Sequence, residues 1–229
     1  MDPPQDHRNG AESTRFVTEC LARLRDLHGE VGTKDPIDPL DELILTILSQ
    51  NTNDNNRDRA YRSLRERFPE NSDLLDADID DIEDAIRVGG LAASKSGNIK
   101  RILEDLIRER GTISLEYLRD MDDRSAMEEL ISMKGVGSKT AACVLVFSLG
   151  RDVFPVDTHI NRIVKRWGVV PPNTNREKTQ EIMNTVVPDG WKYQGHLLII
   201  RHGRTVCKAR SPRCGECPLN GICPRIGVI

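Results

Sequence analysis

Apolar positions recur along this chain at three- and four-residue intervals rather than alternately. Phe16, Leu21, Leu24 and Leu27 keep close to helical spacing, and Leu40–Leu48 (LDELILTIL) is apolar enough to be a buried helix. Residues 74–88, 99–108 and 125–131 read as amphipathic helices, set apart by Gly89-Gly90, Gly111 and Gly135. Residues 140–149 (TAACVLVFSL) form a mostly apolar helix that belongs at the centre of a core. Two more follow at 160–167 and 179–187, with Pro155, Pro171-Pro172 and Pro188 marking breaks. No run alternates with period two for long enough to suggest a sheet. The expectation is an all-α chain of about ten helices, without repeats.

Composition narrows the class. Of 229 residues, 38% are hydrophobic and 30% charged, which fits a globular protein and argues against disorder. No window approaches the roughly 18 consecutive apolar residues of a membrane helix, and Met1–Gly10 is polar. A cytoplasmic, nucleoid-associated protein without a targeting signal is expected. Aromatic residues, at 4%, are too few for a broad base-stacking platform. The net charge of −3 hides an asymmetry: residues 157–229 balance to +7, whereas eight acids crowd into Glu70–Asp84. The basic end suits a polyanion and the acidic stretch suits solvent.

The densest chemical signal is Leu130–Ala141 (LISMKGVGSKTA). One helix ends, Gly135 and Gly137 make a tight turn around Val136, and a second helix begins at Ser138. Glycine lets the backbone approach another molecule closely. The amides of such a turn, at the positive end of a helix dipole, form a cradle for phosphate. Lys139 falls in the first turn of the second helix, where the dipole disfavours a cation and favours a free, nucleophilic amine. Eighteen residues on, Asp157 stands in Val156-Asp-Thr-His159. It is well placed to cap a helix, or to stabilise positive charge on an electron-poor sugar carbon.

Six cysteines occur. Cys20 and Cys143 sit in apolar helical surroundings as small buried hydrophobes. The other four form Cys207-x6-Cys214-x2-Cys217-x5-Cys223, a spacing that suits a metal rather than disulfides. A four-cysteine zinc site and an iron–sulfur cluster both fit it. Lys208, Arg210 and Arg213 lie on the loop between the first two thiols, available to phosphates.

Together these motifs resemble the endonuclease III family of helix-hairpin-helix DNA glycosylases. Its hairpin pattern appears as Met133–Ala141, its Val-Asp-Thr-His as Val156–His159, and its cysteine spacing is met in full. The resemblance implies two helical domains flanking a DNA-binding cleft. One is a six-helix barrel at 36–151; the other joins 1–35 to 152–229 around a [4Fe-4S] cluster on the four cysteines. It implies that Lys139 attacks C1′ of a flipped nucleotide, with Asp157 as the acid partner. Gln50 or Asn51 would fill the gap left by the flipped base, and Leu91 would wedge the opposite strand. Gln50, Asp54 and His159 are candidates for the base pocket.

By this resemblance the chain is a base excision repair glycosylase and AP lyase. It would remove oxidised pyrimidines from double-stranded DNA and act as a monomer on a damaged base or an abasic site. Two alternatives stay open. One is a glycosylase of the same fold for G-mismatched T or U, 5-methylcytosine or mispaired adenine; the other is a non-catalytic DNA-binding module. Met133-Lys134 stands where the family has Leu-Pro, and Gln50-Asn51 departs from its gap-filling segment, so base preference stays open.

Overall fold

The computed structural model describes residues 10–32 and 35–228. Among them there is no strand, and eleven α-helices carry the fold. These are α1 (Gly10–His28), α2 (Pro39–Ser49), α3 (Asp54–Arg67), α4 (Asn71–Asp76), α5 (Ile79–Ile86) and α6 (Ala92–Arg110). They continue with α7 (Asp123–Ser132), α8 (Ser138–Phe147), α9 (Thr158–Arg166), α10 (Arg176–Val186) and α11 (Lys192–Thr205). Short 3-10 turns occupy Arg87–Gly89, Glu116–Asp120 and Cys214–Glu216. The chain divides into two compact units, one over residues 36–151 and one built from the segments on either side.

In the 36–151 unit, Asp38 starts α2 by accepting from the amides of Leu40 and Asp41 at 2.8 and 3.2 Å, with Pro39 as the first helical residue. Helix α2 packs against α8, whose residues 140–146 are all buried. Helix α5 lies on α6 and α3, and α7 on α8. The single helix expected over 74–88 is instead α4, α5 and a 3-10 turn. Ala77 and Asp78 are extended, and the Lys100 ammonium takes the carbonyls of Leu75 and Ala77. A continuous helix would need those carbonyls for its own ladder, so the side chain from α6 ends α4.

The other unit buries Phe16, Leu21, Leu24, Phe154, Ile160, Ile163, Trp167 and Leu198 in one core. Phe16 meets Trp167 edge to face at 6.3 Å. Helix α11 packs on α1 and α9. The hydrophobic pattern did not reveal it, because its buried face includes Gly195, His196, His202 and Gly203. A β-carbon on Gly195 would lie 3.2 Å from Leu21, and one on Gly203 would lie 3.0 Å from His159. Close helix approach, rather than an apolar stripe, defines that face. Helix α3 was missed for a related reason: only Ala60 and Leu64 are buried on it.

Candidate active site and thiol cluster

The hairpin joins α7 to α8. Met133 leaves the helix in an extended conformation, Gly135 takes φ +81°, and the amide of Val136 bonds back to Met133 at 3.2 Å. Val136 is buried and anchors the turn. Gly137 precedes α8 and contributes no capping side chain. Lys139 is half-buried in the first turn of α8, as the sequence predicts. Two polar side chains of the same unit hold the turn from behind. Gln50 donates from Nε2 to the carbonyl of Gly135 at 3.3 Å and to Thr140 Oγ1 at 3.4 Å. The Asn98 amide covers the α-carbon of Gly135.

Gln50 and Asn51 therefore diverge. Gln50 turns back onto the hairpin, whereas Asn51 is exposed with φ +52°. Leu91 has the same φ and is 57% exposed, a large apolar side chain left outside the core. Left-handed backbone at non-glycine residues costs about 1 kcal/mol or more and gathers at functional sites. Asp54 opens α3 and pairs with Arg57 at 3.6 Å.

Asp157 belongs to the other unit. It is half-buried and caps α9 through Oδ1, which accepts the amide of Ile160 at 2.8 Å. His159 is the second residue of α9, with Nδ1 3.2 Å from Arg162 Nη2.

Cys207, Cys214, Cys217 and Cys223 are half-buried, form no disulfide and ring one recess with Arg166 and His202. Burial pushes the Cys217 and Cys223 thiols up, and repulsion among the neighbouring sulfurs adds to it. Such a set of thiolates needs a cationic core. Polar groups face two of the sulfurs: Arg166 Nη1 lies 3.3 Å from Cys207 Sγ, and His202 Nε2 lies 3.5 Å from Cys217 Sγ. Burial, with the neighbouring His28, lowers the His202 pKa to about 4, so that ring is neutral at pH 7.

Sequence reading missed Arg166. It is buried, and its guanidinium also donates to the carbonyls of Lys208 at 2.7 Å and Ala209 at 3.0 Å. Arg162 adds a bond to Cys207 O at 3.0 Å. These two cations fix the backbone of the basic loop and leave Lys208 and Arg210 exposed. Arg213 is partly engaged, with Thr205 O at 2.7 Å and Glu216 at 3.0 Å. The available signal was a pair of arginines four apart on the same face of α9.

Residues 44–189 match the family model of the HhH-GPD superfamily of base excision DNA repair proteins. Residues 207–223 match the iron-sulfur binding domain of endonuclease III. A protein of Arabidopsis thaliana named as a DNA glycosylase is 43% identical over 193 residues, which are 80% of this chain and 66% of that one. Endonuclease III of Synechocystis is 31% identical over 219 residues, 95% of each chain. A trapped endonuclease III–DNA covalent intermediate superposes with TM-score 0.81 at 26% identity, covering 93% of this chain and 96% of the other. The chain belongs to the endonuclease III family of HhH-GPD base excision repair proteins, DNA glycosylases and AP lyases that carry a [4Fe-4S] cluster.

Proposed function

We propose that this chain excises oxidised pyrimidines from duplex DNA with Lys139 as the nucleophile and Asp157 as its acid partner. The observation that carries this reading is the position of Lys139: half-buried, in the first turn of α8, directly after a two-glycine turn built to approach a phosphate. The Lys139 amine forms a bond to C1′ of the extruded nucleotide as the glycosidic bond breaks and the base departs with the bonding electrons. The Asp157 carboxylate stabilises the positive charge that develops on the sugar. Ring opening gives a Schiff base. Loss of a C2′ proton then expels the 3′ phosphate, and water frees the lysine. The hairpin at 135–138 and the cations Lys208, Arg210 and Arg213 hold the backbone.

Asn51 fills the gap, because Gln50 is already engaged by the hairpin, and Leu91 wedges the opposite strand. Gln50, Asp54 and His159 line the base pocket. Residues 36–151 form the hairpin-bearing domain, and the flanking segments form the cluster-bearing domain. When bound, the iron cluster ties the four thiolates and keeps the basic loop rigid. The protein works as a monomer on chromosomal DNA, in the nucleoid.

Borohydride reduction during reaction with single-lesion duplexes tests the assignment. Thymine glycol and an abasic site are expected to give a covalent adduct that Lys139→Gln abolishes. An adduct that persists in Lys139→Gln rules out this nucleophile. Preference for uracil, 5-methylcytosine or mispaired adenine over thymine glycol rules out the oxidised-pyrimidine substrate.

A further inference from the structure

We propose that Lys95 is a positioning residue for base extrusion, its buried ammonium tying together the two loops that carry Asn51 and Leu91. This inference rests on the reading of Asn51 and Leu91 as side chains that enter the duplex. Lys95 lies in the first turn of α6 and is 2% exposed. Its Nζ donates to Leu48 O at 2.8 Å and to Gly89 O at 2.9 Å, while its own amide bonds Leu91 O at 3.0 Å.

Leu48 O belongs to the last turn of α2, two residues before Gln50. Gly89 O ends the 3-10 turn that leads into Leu91. Both carbonyls sit at C-terminal ends, where helical backbone lacks partners and carries negative potential. One ammonium with three donors therefore bridges segments 41 residues apart in sequence (48 to 89) and closes both helix ends.

A buried cation facing carbonyls is costly, and burial lowers its pKa. The two hydrogen bonds offset part of that cost by satisfying carbonyls that an apolar side chain would leave unpaired. What the lysine supplies is coupling. Asn51 and Leu91 both hold left-handed backbone, which asparagine tolerates but leucine rarely adopts. Each lies within three residues of a carbonyl bound by Lys95 Nζ. The ammonium fixes the spacing between the two loops, and that spacing sets whether both side chains enter the stack together.

The test uses single-turnover rates of the holoenzyme on three duplexes: the lesion paired with its partner base, the same lesion opposite a missing base, and a preformed abasic site. Lys95→Met is expected to slow excision from the paired duplex at least tenfold while changing cleavage of the abasic site less than threefold. The lesion opposite a missing base should recover most of the loss. Equal slowing on all three duplexes, or none, overturns the proposal. Should Lys95→Met not fold, the same ratio is read in Lys95→Arg, whose bulkier head displaces both carbonyls, and an unchanged ratio is again a refutation. Asn51→Ala and Leu91→Ala separate the two claims. If neither slows the paired duplex, the inserting-loop reading fails and this proposal with it. If they slow it and the Lys95 variants do not, only this proposal fails.

Discussion

The side-chain amide of Asn98 occupies the space that a β-carbon on Gly135 would need. The hairpin glycine is thus favoured by its φ of +81°, and any β-carbon there would have to displace the Asn98 side chain on α6. Gly135→Ala is expected to lose about 1–3 kcal/mol of stability from strain and displacement, and to bind duplex DNA more weakly. Adding Asn98→Ala relieves the collision but not the backbone strain. The double variant should therefore recover part of the loss in urea melts. Full recovery would mean that φ is not limiting.

Asp157 combines a capping role with a chemical one, and two substitutions separate them. Asparagine caps helices as well as aspartate does, whereas alanine costs about 1 kcal/mol. Asp157→Asn should keep the melting temperature and DNA affinity of the parent while turnover falls by at least a hundredfold. Asp157→Ala should lose turnover and also loosen α9. Near-normal excision by Asp157→Asn removes the carboxylate from the reaction.

The recess of four thiols predicts a second dependence. Cys217→Ser is expected to lose iron and the visible iron–sulfur absorbance. DNA binding should weaken with it, because the loop bearing Lys208 and Arg210 loses one of its ties. Iron analysis and the salt dependence of DNA affinity measure the two effects. Unchanged iron content in the variant would exclude Cys217 from the ligand set.

Acid should act on α7 through Glu129. Burial opposes ionisation of this carboxylate, but hydrogen bonds from Arg110 at 2.5 Å and Tyr117 at 2.8 Å outweigh it and hold its pKa below the ordinary 4.5. Because the folded-state value is the lower one, the stability it gives is present above pH 4.5 and drains away as pH falls through the folded value. Glu129→Gln should cost about 0.5–1 kcal/mol at neutral pH, a modest figure for a partly exposed pair, and should flatten the acid limb of the stability curve. Denaturant melts from pH 7 down to pH 3 measure both.

Much of this chain was legible without coordinates because the signals are local. Asp157 starts its helix with a neighbouring amide, as its place before Thr158 suggests. Gly135 and Gly137 place Lys139 in a first helical turn within a few residues, and four cysteines inside seventeen positions declare a shared ligand. Such features depend on backbone geometry and short spacing, which sequence order fixes directly.

Three other features depended on partners far along the chain. Gln50 and Asn51 are adjacent and similar in chemistry, yet the carbonyl of Gly135, 85 residues away, engages Gln50 while Asn51 stays exposed on a left-handed backbone. Lys95 and Arg166 look like surface cations in a charged helix. Only folding brings carbonyls from residues 48 and 89, and from 207 to 209, around their donors. Periodicity reports which side chains avoid water, not which polar groups satisfy one another, so the order of elements belongs to the sequence and the polar connections that position the site belong to the packed chain.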